Sequence, residues 1–322
     1  MRRKIQYTIG CAVVPVRLAR WLRPVHLAMA GVFVGAILTG CGGAQGQAVR
    51  VDPALLSLVP ADTTMLAGLK LEALRGTAVW KRYVAGQPFS ALDDLASETG
   101  LDLRTGAWEA LVVSNGKTTE VMARGDFAPQ GLEPRPNRPG VTRTPYRGYT
   151  LIGDERGVVA FMNPSTAVAG PPSAVRAVID QRGKSGPPPA LRELLRQIPK
   201  EDQIWIATTG GFPALPDSGN AANLRRIASM VDSVVAGADL RSGLAAFATA
   251  ACPGEIGAAS LDAALRGFLV LGRLGTSSKQ PELLRVFDGI KIEQRQNTVR
   301  VSVSISENVL EAAAEKWGRE AR

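Results

Sequence analysis

The strongest constraint on this chain is the alternation within Thr298–Ile305. Val299, Val301, Val303 and Ile305 fall on one side, and Arg300, Ser302 and Ser304 fall on the other. Successive side chains of a strand point to opposite faces, so a period of two reads as a strand with one buried and one wet face. That pattern belongs to antiparallel sheets. Lys291–Arg295 precedes it, and Gln296-Asn297 between them predicts a hairpin.

The same signature recurs upstream. Ala110–Ser114 and Thr118–Arg124 flank Asn115-Gly116, a dipeptide suited to the positive φ angles of a tight hairpin turn. Tyr149–Ile152 and Val158–Met162 flank the turn-forming segment Gly153-Asp154-Glu155-Arg156-Gly157. Met65–Leu71, Gln203–Thr208 and Leu244–Ala251 read as further strands. Helices are expected over Glu72–Val84, Ser90–Glu98, Ser173–Gln181, Asn223–Met230, Glu255–Leu274, Pro281–Phe287 and Glu307–Trp317. In the longest of them Leu261, Leu265, Phe268 and Leu269 share one face. Hairpins mixed with helices, without regular βαβ alternation, predict an α+β fold of mainly antiparallel sheets packed with helices.

Two stretches resemble each other. Gly100–Gly106 reads GLDLRTG and Gly237–Gly243 reads GADLRSG. Each lies about 40 residues after a segment that opens on proline and acids and runs into a strand, and each precedes an apolar strand. The pattern predicts an internal duplication with two similar halves, residues 53–185 and 190–318, divided at the proline-rich Lys184–Pro189. Residues 41–52 read as a Gly/Gln/Ala-rich tether.

Residues 1–40 differ from everything that follows. Arg2, Arg3, Lys4, Arg17, Arg20 and Arg23 precede an apolar run from Leu27 to Leu38, and no acid occurs in the segment. A bilayer-spanning helix needs about 20 apolar residues, so this shorter run reads as a secretory signal peptide. It stops at Leu38-Thr39-Gly40-Cys41. That tetrapeptide resembles the lipobox of bacterial lipoproteins. The resemblance implies cleavage before Cys41, diacylglycerol on its thiol and an acylated new amino terminus, and hence a membrane partner through the Cys41 anchor. Gly42 stands where lipoproteins kept in the inner membrane often carry aspartate. By that resemblance the destination is the cell envelope, at the outer membrane facing the periplasm where the cell has two membranes.

Losing the leader changes the charge. Six of the 38 basic residues and none of the 29 acids lie in it, so the mature chain carries about +3 rather than +9. The basic character belongs largely to the signal, and no nucleic-acid partner follows from it. The only histidine, His26, is also in the leader. The mature chain therefore has no imidazole for Ser-His-Asp or Cys-His catalysis or for metal ligation. With Cys11 removed and Cys41 acylated, Cys252 is the one free thiol, so no intramolecular disulfide forms.

Chemical motifs fare poorly. Gly183-Lys184-Ser185 has the tail of a phosphate loop but is followed by prolines where a helix must begin. Ser114 and Lys117 match Ser-x-x-Lys but straddle a hairpin turn. Asp93, Asp94, Glu98 and Asp262 read as solvated helix faces. Asp102 and Asp239, with Arg104 and Arg241, read as turn residues in which aspartate bonds its own backbone. Cys252 reads as a small core residue at a strand end. Arg135, Arg138, Arg143 and Arg147, interleaved with prolines and with Tyr146 and Tyr149, form the densest basic stretch of the mature chain. They are the candidate ligand-binding residues, suited to an anionic envelope ligand or an envelope protein. No catalytic residue, metal or cofactor is assigned, and the oligomeric state stays open. The leading expectation is a membrane-anchored envelope lipoprotein with a non-enzymatic binding or structural role. A hydrolase using carboxylates or a lone serine or threonine, and a lipid or small-ligand carrier, are the alternatives.

Overall fold

The computed structural model describes residues 49–85, 104–127, 141–183, 186–210, 230–276 and 281–310. Among them are twelve strands: β1 (Met65–Leu69), β2 (Ala107–Ser114), β3 (Thr119–Gly125), β4 (Thr142–Tyr146), β5 (Tyr149–Gly153), β6 (Val158–Asn163), β7 (Thr166–Gly170), β8 (Ile204–Thr209), β9 (Ser233–Asp239), β10 (Leu244–Ala251), β11 (Lys291–Arg295) and β12 (Thr298–Ile305). They form one sheet in the order β11-β12-β10-β9-β8-β1-β2-β3-β7-β6-β5-β4. Every neighbouring pair is antiparallel. The helices are α1 (Pro53–Leu56), α2 (Leu71–Arg75), α3 (Ala78–Tyr83), α4 (Pro172–Gln181), α5 (Pro189–Leu195), α6 (Glu255–Gly275) and α7 (Pro281–Asp288). The α+β expectation is met.

The pleat sorts the core into two layers. Leu66, Leu111, Met122, Val168, Trp205 and Val235 face one side, where Leu55 of α1, Val175 and Val178 of α4, and Leu191 and Leu195 of α5 cover them. On the other side Ala110, Ala123, Ile152 and Ala167 pack with Leu71 of α2 and Trp80 of α3. Further along that second face, Val299 and Val301 pack under Ala258 and Leu261 of α6. Burial of this apolar surface, at about 25 cal/mol per Å², is what holds helices to sheet.

Several local expectations are met for local reasons. Asn115 Oδ1 accepts from the backbone N–H groups of Lys117 (3.0 Å) and Thr118 (2.9 Å), and Gly116 takes φ +83°, which closes the β2–β3 hairpin. Val299, Val301, Val303 and Ile305 are buried along β12 while Arg300 and Ser304 are exposed; Ser302, expected on the wet face, is buried. The single helix expected over Glu72–Val84 is two, because Gly76 ends α2 and Thr77 Oγ1 accepts from Trp80 N (3.2 Å) as the cap of α3. Phe268, expected on the inner face of α6, is 49% exposed. The helices expected over Ser90–Glu98 and Asn223–Met230 lie outside the described residues, as does most of Glu307–Trp317. Among the described residues the packed body already includes Val49 and Val51, ahead of Pro53. Val49 and Val51 are buried in the first core layer, and Val49 N donates to Ile198 O (2.7 Å), so the tether's last residues are part of the fold.

The two halves meet at the β1·β8 pair, with Met65 opposite Thr208 and Leu69 opposite Ile204. Strands β1–β7 lie on one side of this seam and β8–β12 on the other. The topology does not show the expected duplication. With Gly100–Gly106 matched to Gly237–Gly243, β10 would be the counterpart of β2 and β8 that of β1, yet β2 is the direct neighbour of β1, whereas β9 separates β10 from β8.

Candidate functional site

A belt of charged side chains crosses the first face of the sheet near the seam. It starts at Asp52, the N-cap of α1, whose Oδ1 accepts from Ala54 N (2.7 Å). Asp52 Oδ2 accepts from Arg124 Nε of β3 (2.8 Å). Arg124 Nη1 also donates to Ser165 O (2.9 Å), Ser165 Oγ (2.6 Å) and Thr166 Oγ1 (2.8 Å), and its guanidinium lies 5.5 Å from the centroid of the Trp108 ring. Beside it on β2, both carboxylate oxygens of Glu109 accept from Asp52 N (3.3 Å each). Burial pushes the Glu109 carboxyl up to about 6, against the opposing pull of that backbone hydrogen bond.

The belt continues across the seam. Lys70, following β1, donates from Nζ to Lys200 O (2.5 Å), and its N–H donates to Gln203 O (2.8 Å). Burial lowers the Lys70 ammonium, while Glu109, Asp202 and Glu201 pull the other way. Asp202 is 5% exposed, and its Oδ2 has no hydrogen-bond partner. Burial, with the Asp239 charge second, raises its carboxyl to about 7. Gly237 of β9 makes room for it: a Cβ there would stand 1.9 Å from Asp202 Oδ2.

Asp239 closes the belt. Burial opposes its charge, but hydrogen bonds from Arg241 and Gln203 outweigh that and hold its carboxyl below the usual range. Arg241 Nη2 donates to Oδ2 (2.6 Å) and Nε to Oδ1 (3.0 Å), while Gln203 Nε2 donates to Oδ1 (2.9 Å). Gln203 Oε1 in turn accepts from Leu240 N (2.7 Å). Asp239 Oδ1 also accepts from Arg241 N (3.0 Å), and Gly243 takes φ +107°, so the turn reading of this motif holds. Asp102 lies outside the described residues.

The residues singled out for ligand binding divide. Arg135, Arg138 and the anchor residue Cys41 lie outside the described residues. The proline-interleaved stretch is not simply a loop: Thr142–Tyr146 is the edge strand β4, where Pro145 is tolerated. Arg147-Gly148 forms the turn into β5, with φ +46° and +82°. Arg147 pairs with Asp180 of α4 (2.7 Å), and Tyr146 Oη donates to the same carboxylate (2.9 Å). Arg176 of α4 and Arg182, which caps it, lie 5.3 Å and 5.8 Å from the Tyr146 and Tyr149 ring centroids, and Arg182 donates to the Tyr149 hydroxyl. Three of the candidates, Tyr146, Arg147 and Tyr149, thus fasten the β4–β5 hairpin to α4. Arg143 is exposed on β4.

Other motifs resolve into structure. Ser114 Oγ donates to Thr118 O (2.8 Å) within its hairpin, and Lys117 is exposed at the tip. Cys252 is buried at the end of β10, and burial raises its thiol. Asp262 pairs with Arg266 one turn along α6 (2.7 Å). Among the described residues no cluster of three or more histidine, cysteine or carboxylate side chains is arranged to hold a metal. Lys70, Glu109 and Asp202 belong to no motif. Their only trace in the sequence is a charge set in or beside an apolar stretch, as in AWEALVV.

No protein-family model matches the chain, and no curated protein matches it. Solved structures of TP0453 align with it over most of its length. Crystal form III aligns with a TM-score of 0.48 at 11% identity, covering 82% of this chain and 97% of that one. Crystal form IV aligns with a TM-score of 0.45 at 12% identity over 82% and 96%, and crystal form I with 0.44 at 11% over 83% and 98%.

Proposed function

We propose that this chain is a lipid-anchored envelope protein with a non-enzymatic binding or structural role. The single observation that carries the reading is the basic leader and short apolar run ending at Leu38-Thr39-Gly40-Cys41. Several acyl chains at one terminus anchor durably, since each buried methylene contributes about 0.8 kcal/mol. Among the described residues no helix is long and apolar enough to cross a membrane, which is compatible with attachment by lipid.

The belt supports a structural reading of the body. Asp202 and Asp239 have carboxyls pushed in opposite directions, the arrangement used by acid–base pairs. That divergence is what favours the rival, a carboxylate hydrolase. However, Asp202 Oδ2 packs on the Gly237 backbone and Asp239 is engaged by Arg241 and Gln203, contacts that favour the structural reading. The deciding experiment is incorporation of labelled palmitate in wild type and Cys41→Ala, with mass spectrometry of the mature amino terminus. Acylated Cys41 as the first residue is the expected result. An amino terminus upstream of position 41, or a protein without lipid, overturns the reading.

A further inference from the structure

The five large apolar side chains exposed among the described residues all lie on α6: Ile256 (86%), Phe268 (49%), Val270 (55%), Leu271 (66%) and Leu274 (77%). Helical spacing of about 100° per residue divides this helix into three arcs. Ala258, Leu261, Leu265 and Leu269 turn toward β11 and β12. Glu255, Asp262, Arg266 and Arg273 fall together within about 40° along one flank. About half the circumference remains, and it carries the five apolar side chains and no ionisable one. The helices of a soluble body normally put charge on the outward face. Here the charge sits at the border, and the outward face is apolar apart from Ser260.

We propose that this face of α6 lies on a lipid bilayer, parallel to its surface, with Ile256, Phe268, Val270, Leu271 and Leu274 among the acyl chains. Arg266 and Arg273 then lie at headgroup level, Arg266 beside Asp262 and Arg273 beside Asp288 (2.7 Å each). Three observations select a bilayer as the occupant. The 21 residues of α6 give a face about 31 Å long and about 10 Å wide, so two copies meeting through it bury roughly 600 Å² together. A stable protein interface needs about 1,200 Å² or more. The centres of protein interfaces are rich in Trp, Tyr and Arg, whereas this face offers Ile, Val, Leu and one Phe. Finally, Val49, the first described residue and already packed in the core, follows Cys41 by eight positions, a reach of about 28 Å at most. A body so tethered stays at the surface its anchor enters. This last argument rests on acylation of Cys41; the first two do not.

The test places an environment-sensitive fluorophore on Leu271→Cys or, as control, on Lys117→Cys at the β2–β3 tip. The lipidated mature protein is reconstituted in vesicles of equal parts phosphatidylcholine and phosphatidylglycerol, with and without brominated acyl chains. We expect the label at 271 to shift to the blue and be quenched by bromine, while the label at 117 stays in water. In the unlipidated mature chain carrying Cys41→Ala, partition onto the same vesicles is expected to fall about tenfold or more with Leu271→Glu and Leu274→Glu together. The thermal transition should hold, because both positions are exposed. A protein that floats with vesicles by its lipid while the 271 label stays in water overturns the docking and spares the anchor. A 271 label that is buried when the native mature protein, with Cys41 intact, proves to carry no lipid spares the docking and overturns the anchor. Burial of the 271 label with rising protein concentration and no vesicles assigns the face to a second copy, which also overturns the proposal.

Discussion

Asp202 makes the stability of this protein depend on pH in a direction opposite to that of an ordinary salt-bridged acid. Its carboxyl is raised from 3.8 to about 7, chiefly by burial. The folded chain therefore holds a proton that the unfolded chain releases. Between about pH 4 and pH 7 the native state binds more protons, so unfolding free energy falls as pH rises. Below that window the carboxyl is neutral in both states and carries no penalty. Above it the full penalty applies. The difference between the two values corresponds to at most ~4 kcal/mol, at about 1.36 kcal/mol for each tenfold change in proton affinity. Glu109, raised by burial to about 6, acts in the same sense over a narrower range. Burial pushes Asp154 and Asp239 up, but hydrogen bonds and charge from their partners together outweigh it and lower both, so their contribution is lost only as pH falls through and below the ordinary carboxylate range. Lys70 is lowered from 10.5 by burial and acts with the opposite slope between its folded value and 10.5. The measurement is urea unfolding at pH 5 and pH 8 for wild type and Asp202→Asn. Wild type should be the less stable at pH 8. The asparagine variant, which cannot ionise, should lose most of that difference and exceed wild type at pH 8. Equal slopes in the two proteins, or a wild type that gains stability toward pH 8, would refute the assignment of a buried protonated Asp202.

Three further outcomes follow from the same geometry. Gly68→Ala sets a Cβ 2.1 Å from Trp205 Cε2 in the core, and a loss of about 1–3 kcal/mol in thermal or urea unfolding is expected from overpacking. Arg124→Ala removes the partner of Asp52 and the donors to Ser165 and Thr166 at a half-buried site; we expect a loss of about 2–4 kcal/mol that Arg124→Lys does not restore, since an ammonium lacks the guanidinium fork. Cys252, buried with a raised thiol, should resist a thiol reagent in the native Cys41→Ala mature chain and react on unfolding; rapid native reaction would show that the end of β10 opens.

The parts of this fold legible in the sequence are those whose cause is local. Asn115-Gly116 marks the β2–β3 hairpin because the turn itself needs those residues. Alternation marks β12, and an uninterrupted periodic run marks α6. The break between α2 and α3 was also written locally, as Gly76-Thr77, a helix end followed by a cap. Strands β7 and β9 escaped because TAVAG and SVVAGAD are short, small-residue runs buried on both faces, where alternation vanishes. Strand β4 hid behind Pro145, which only an edge position allows. The belt was illegible for another reason. Lys70, Glu109, Asp202 and Asp239 come from four separate segments, and only long-range pairing sets their charges side by side.

That pairing raises the question of why two runs of strands join at β1·β8 as one sheet in one register. Backbone hydrogen bonds are indifferent to a shift of two residues, and apolar alternation survives it. Side chains specific to the seam do not. Gly68, Trp205 and Gly237 stand directly opposite one another across β1, β8 and β9. The Trp205 indole occupies the space over Gly68, and the Asp202 carboxylate occupies the space over Gly237. Any shifted register would set the indole against Leu66 or Lys70, where a side chain already stands. It would also separate Lys70 from the carboxylates that offset its burial. The seam is therefore fixed by two absent side chains and a compensated charge, and the belt serves first as the device that makes one sheet out of two halves.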